Sequence, residues 1–233
     1  MLLSMPGRLA GALRKKVVPL VLALVVIGAG TVGASAYAAK NRTQDQWHIL
    51  SVVGAKQEKW NWCGPGAAQI LLSAFGVSKN DATQRKLADG MNTDSYGFSI
   101  PENVANAVNI ALGRWAAPKT NIRYTNHPRT GVGQLYTFSK KAINEGAPVI
   151  ITVKPGNLWW KNASALTAHY LVIYGWNDAW YDPKTKKTQK AYLVRDPSDN
   201  SIHHMAAVDW GSANNGANAG YINGDVIVPK NVI

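Results

Sequence analysis

The chain has 233 residues, of which 46% are hydrophobic and 16% charged, with 25 Lys+Arg against 13 Asp+Glu and a formal net charge of +12. That length suits one ordinary domain with a full core, and the apolar share argues against intrinsic disorder. A single cysteine, Cys63, excludes an intramolecular disulfide framework and any multi-cysteine zinc site.

Residues 1–38 have the three-part order of a secretory signal. Arg8, Arg14, Lys15 and Lys16 form a basic head, Val17 to Ala29 is almost wholly apolar, and Ala36-Tyr37-Ala38 has the shape of a processing site. The expectation is a secreted protein with a signal over 1–38, a tail over 39–46 and one domain over 47–233. The alternative is a retained membrane anchor over residues 17–34. Loss of the four basic residues would leave a net charge of +8. The remaining cations are scattered, with one dense group at Lys184, Lys186, Lys187 and Lys190. No basic stripe with interleaved aromatics is present, so nucleic acid is not an expected partner. A mild positive charge outside the cell fits an anionic wall or membrane surface instead.

Along the domain, Cys63 to Phe75 reads as a helix with Ala68, Leu71, Leu72 and Phe75 on one face, Pro65 in its first turn and Gly76 as its stop. Asp81 to Ala88 reads as a second helix capped by Asn80 or Asp81, Glu102 to Leu112 as a third, and Gly133 to Glu145 as a fourth. The period then changes. Pro148 to Val153, Tyr170 to Tyr174, Ala191 to Val194 and Asp225 to Val228 read as strands. Gly211 to Gly224 reads as a surface loop, either a lid or a connector. Helices first and strands later predict an α+β domain with an antiparallel sheet.

By count alone, Cys63 can be a buried small hydrophobe, half of an intermolecular disulfide, or a nucleophile. Its setting, Trp60-Asn61-Trp62-Cys63-Gly64-Pro65-Gly66-Ala67-Ala68, places it at a helix N-terminus. There the dipole and unpaired N–H groups favour a thiolate. Gly64 would let a substrate backbone come close, and Trp60 and Trp62, with Trp159-Trp160, could wall a cleft for it. A thiolate attacking a carbonyl also needs an oxyanion donor and a base. Gln57, just upstream, can supply an amide beside the backbone N–H of Cys63.

Of five histidines, only His169 begins a clear strand. A hairpin symmetric about Asp182-Pro183 would set Gly175 across from Lys190 and His169 across from Asp196, which is orienting distance for a carboxylate. Asn177 and Asp178 lie roughly 26–30 Å along the strand from His169 and are excluded. Asp196 is therefore the expected orienter of the His169 ring.

Taken together, these blocks resemble the papain-like cysteine peptidases, and among them the peptidase C39-like group. The matching residues are Gln57, Asn61 to Ala68, Ala168 to Trp176, and Val194-Arg195-Asp196-Pro197. The resemblance implies a papain-like α+β fold with the nucleophile on a central helix packed on the sheet. It also implies Cys63 as nucleophile, His169 as general base and then acid, Asp196 as orienter and Gln57 as oxyanion donor. Gly66 stands where the group usually has alanine, a change expected to be harmless. No metal or organic cofactor is implied. A monomer acting on a peptide or protein is expected. Acyl transfer, cell-wall amide hydrolysis and a non-catalytic binding shell are the competing readings of the same residues.

Overall fold

The structure, a computed structural model, describes residues 46–116, 118–154, 158, 160, 168–214 and 224–233, with backbone alone at 95–96 and 211–214. The expected signal over 1–38 and Trp159 lie outside the described residues. Among those residues the elements run β1 (His48–Ile49), α1 (Cys63–Ser73), α2 (Gln84–Met91), α3 (Thr93–Tyr96), α4 (Pro101–Trp115), β2 (Tyr124–His127), α5 (Val132–Asn144), β3 (Val149–Val153), β4 (His169–Asp182), β5 (Lys187–Asp196), β6 (Ser201–Ala206), α6 (Ala207–Asn214) and β7 (Val226–Pro229). The domain is α+β, and its strands form one antiparallel seven-stranded sheet in the order β2-β7-β3-β4-β5-β6, with β1 on β4.

Helix α1 is buried all round rather than along one face: every residue from Cys63 to Leu72 is buried. β3 and β4 pack on one side of it, and α2 and α4 on others. A helix wrapped in this way shows no single apolar stripe, and its small residues admit close neighbours. Gly76, at φ 71°, stops the chain after it.

The second helix begins three residues later than expected. Ser78 and Asp81 are used in a turn of their own, with Ser78 Oγ donating to Asp81 Oδ2 at 2.7 Å, and the Thr83 hydroxyl accepts the Lys86 N–H instead. The third and fourth helices are found at Pro101–Trp115 and Val132–Asn144, the latter followed by Gly146 at φ 84°. The first four residues of the expected 211–224 loop continue α6.

The largest departure is the β4–β5 hairpin. The polar stretch after Trp176 is itself strand, and the turn lies after Asp182 rather than around Asp182-Pro183. Asp182 starts the turn with its side chain, accepting the Lys184 N–H at 2.9 Å and the Thr185 hydroxyl at 2.6 Å. Two bulges, between Ile173 and Gly175 and between Asn177 and Trp180, then bring the register part of the way back toward the symmetric one. Gly175 therefore faces Leu193, not Lys190.

Candidate active site

Cys63 is the first residue of α1 and is 8% exposed. No side chain caps this helix start, so its first-turn N–H groups and dipole act on whatever lies there. The His169 side chain and the backbone of Tyr170 and Gly64 act on the sulfur, each favouring its charged form. Thus the helix brings the cysteine, and the start of β4 brings the histidine to it.

On its far side the ring is held by Asp196: His169 Nε2 lies 2.7 Å from Asp196 Oδ1, with both side chains fully buried. That leaves Nδ1 as the nitrogen for the sulfur. The pair does not meet as directly opposed residues. Val172 faces Arg195, so the register carried one step on sets Asp196 across from Leu171. The true register differs from the symmetric one by two residues. An even shift keeps His169 and Asp196 on one face, and the contact is diagonal instead of direct.

Asp196 is fixed by more than the histidine. Its Oδ1 accepts the Ser198 N–H at 2.8 Å and the Ser198 hydroxyl at 2.6 Å, and its Oδ2 accepts the Trp160 indole N–H at 3.2 Å. Trp160 in turn stacks on His203 at 4.1 Å between ring centroids. The structure therefore gives Trp160 a place behind the carboxylate, not in an open cleft wall. Sequence reasoning missed Ser198, although Asp-Pro-Ser is a side-chain turn signature that points to it.

Burial opposes every charge here, and the mutual contacts outweigh it. For Cys63, burial pushes the thiol up, while the His169 hydrogen bond and charge and two backbone N–H groups bring it below its ordinary value. For His169, burial lowers the imidazole, but the hydrogen bonds to Asp196 and Cys63 and their charges raise it to about 9. Asp196, which burial alone would raise, is held far below the usual carboxylate range by His169 and Ser198. Each direction favours the charged form of its group: the thiolate, the imidazolium and the carboxylate.

Gln57 lies against the same cluster. Its backbone N–H donates to the Pro197 carbonyl at 2.6 Å. Its side chain points into the turn before Cys63, where Nε2 donates to the Lys59 carbonyl at 2.8 Å and the Trp60 carbonyl at 2.7 Å. Both amide hydrogens are thus engaged. Gly66 is not a harmless replacement: a Cβ there would lie 2.9 Å from Pro197 Cβ and 3.4 Å from Gln57 Cβ. Its missing side chain lets the Asp196-Pro197 turn and Gln57 press onto α1.

The residues read from sequence as substrate contacts separate. Gly64 meets protein rather than substrate, since a Cβ there would come within 2.7 Å of Ser99 Cβ. Trp62 is buried, its indole N–H bonded to Asp94 at 2.7 Å and the Lys59 ammonium over its ring. Only Trp60, 72% exposed, offers an open aromatic face.

The remaining histidines have other neighbours. His48 stacks on Trp176, His127 bonds Thr130, and His204 stacks on Trp180. Among the described residues no group of three or more His, Cys, Asp or Glu side chains is placed to hold a metal ion. Two larger cavities lie away from Cys63, one of about 510 Å³ beside Gln69 and Gln84 and one of about 630 Å³ between α2 and α4.

The Peptidase_C39 like family model matches residues 49–219. Among solved structures, a double glycine motif protease from an AMS/PCAT transporter, in complex with its leader peptide, is similar at 11% identity over 78% of this chain and 94% of that one, with a TM-score of 0.45. No curated protein matches the chain. By its family match over most of its length, the chain, an α+β domain with an antiparallel sheet, belongs to the Peptidase_C39 like family.

Proposed function

We propose that the protein is a secreted cysteine peptidase that hydrolyses a peptide amide through an acyl-enzyme. The observation that carries this reading is the buried His169, electrostatically coupled to Cys63 and hydrogen-bonded to Asp196 at 2.7 Å. The Cys63 thiolate attacks the substrate carbonyl carbon and forms the S–C bond. Negative charge gathers on the carbonyl oxygen, beside the uncapped start of α1. Gln57 donates there by exchanging its bond to the Trp60 carbonyl, which lies in an exposed turn where water can replace the amide. The imidazolium of His169 gives its proton to the leaving amine as the C–N bond breaks. Neutral His169 then takes a proton from water, which attacks the thioester and releases the acid and the thiolate. Asp196 keeps the ring oriented and stabilises its charged form.

A single chain carries every group in this scheme, which supports a monomer. A peptide or protein is the proposed substrate, with the aromatic face of Trp60 beside the cleft. The net positive charge supports residence near an anionic wall surface after export.

The direct test is alkylation by iodoacetamide at neutral pH. Cys63 should react well above the rate of free cysteine at the same pH, because its thiolate is present where a free thiol is mostly protonated. A Cys63 no faster than free cysteine refutes the reading. Thioester transfer to added amines, measured beside hydrolysis, separates acyl transfer from peptidase activity.

A further inference from the structure

On the reading above, acylation depends on where Gln57 Nε2 lies, and one side chain outside that mechanism holds the backbone around it. Gln84 opens α2 and is 1% exposed. Its Oε1 accepts the Glu58 N–H at 2.9 Å, and its Nε2 donates to the Lys56 carbonyl at 2.8 Å. These two groups flank Gln57. They lie on the same edge of the backbone, as the carbonyl before and the N–H after a residue do along a strand. The amide of Gln84 thus serves the segment as one residue of a neighbouring strand. On the opposite edge, the Gln57 N–H donates to Pro197 at 2.6 Å.

The clamp is also tied to the nucleophile helix. Gln84 Nε2 donates to Gln69 Oε1 at 3.2 Å, and Gln69 stands on α1 with its own amide bonded to the Ala82 carbonyl at 2.9 Å. A planar side-chain amide with one acceptor and two donors matches these three partners, and no other uncharged side chain of that length does. We infer that Gln84 is a positioning residue, its buried amide fixing the backbone on both sides of Gln57 so that the oxyanion donor stands in register with Cys63. This inference rests on the assignment of Gln57 as that donor.

Two reactions of Cys63 separate this role from general support of the fold. Acylation by p-nitrophenyl acetate forms the S–C bond through a tetrahedral oxyanion and expels p-nitrophenolate. Alkylation by iodoacetamide displaces iodide and forms no oxyanion. In Gln84→Met the acylation rate should fall about 10- to 100-fold, the effect of a small misplacement of a catalytic group, while alkylation stays within about 2-fold. In a Gln57→Ala background, Gln84→Met should add no further loss of acylation, since both changes remove one donor. Unchanged acylation, parallel loss of both reactions, or independent multiplying losses in the double variant would each overturn the inference. Gln84→Glu keeps the bond from Glu58 but turns a carboxylate oxygen on the Lys56 carbonyl and Gln69 Oε1. It should show the same selective loss, and serves if the methionine variant does not fold. A wild-type protein that p-nitrophenyl acetate cannot acylate removes the mechanism itself. A wild-type protein that is acylated, with both Gln84 variants unchanged, removes only the clamp.

Discussion

Asp196→Asn changes one charge in the centre of the cluster and nearly preserves its shape. Asparagine can still accept from His169 Nε2, but only through its oxygen. If that oxygen serves His169 and Ser198, the amide nitrogen faces the Trp160 indole N–H, and two donors are left opposed. The imidazole loses the largest influence that holds it above its ordinary value, while burial continues to lower it. Its rise from 6.5 to about 9 corresponds to about 3 kcal/mol at about 1.4 kcal/mol per unit. The variant should therefore titrate more than about one unit lower, a loss of at least about 1.4 kcal/mol. The His169 Cε1–H signal in an NMR titration, assigned against His169→Gln, reads this without any substrate.

The sign of the stability effect follows from both groups. The raised His169 value contributes stability that is complete below 6.5 and is lost as pH rises through about 9. The depressed Asp196 value contributes stability that is complete above 3.8 and is lost as pH falls toward its folded value. The stability gap between wild type and Asp196→Asn should thus be widest between these limits. By urea unfolding it should be smaller at about pH 10 than at about pH 6. An unmoved His169 titration, or a gap equal at the two pH values, refutes the reasoning.

Three further substitutions test the surroundings. Gly66→Ala introduces a methyl 2.9 Å from the Pro197 ring, so it should cost about 1–3 kcal/mol in chemical unfolding and lower acylation by displacing Gln57; a neutral result would mean that this contact is slack. Trp160→Phe keeps a ring to stack on His203 but removes the donor to Asp196 Oδ2, with an expected loss of about 1 kcal/mol in stability. A loss below about 0.3 kcal/mol would show that this hydrogen bond contributes nothing net. Trp60→Ala, at an exposed position, should leave stability within about 0.5 kcal/mol and raise KM for a peptide substrate; an unchanged KM would remove Trp60 from the cleft.

Much of the architecture was legible because it depends on local chemistry. Helix α1 begins at Cys63 where the Gly-Pro-Gly context and the following apolar run place it, and the β-branched segments around Ile150, Val172 and Ile227 are strands of one antiparallel sheet, as expected. Three strands were not foreseen: His48–Ile49, which pairs with β4, and Tyr124–His127 and Ser201–Ala206, which mix polar with apolar residues and lie at the two ends of the sheet order. An edge strand need not carry a continuous apolar face, because its pairing is decided by the neighbour that receives it. Helix α2 shifted for a similar reason: several candidate caps lay close together, and Ser78 and Asp81 bonded each other.

The sequence by itself carried the order of the chemical groups: a cysteine at a helix start, a histidine at a strand start, and an aspartate before a proline turn. It also carried the parity that puts His169 and Asp196 on one face, which survives an error of two residues in register because strand side chains alternate with period two. Only the tertiary structure decided how those groups are held. The bulges of the hairpin, the Trp160 indole behind Asp196, the close approach of Pro197 at Gly66 and the Gln84 amide across from Gln57 all join residues distant in the chain. Their signals are ordinary polar residues or a glycine, and such residues acquire a role only from the partner that packing brings within hydrogen-bonding or van der Waals distance.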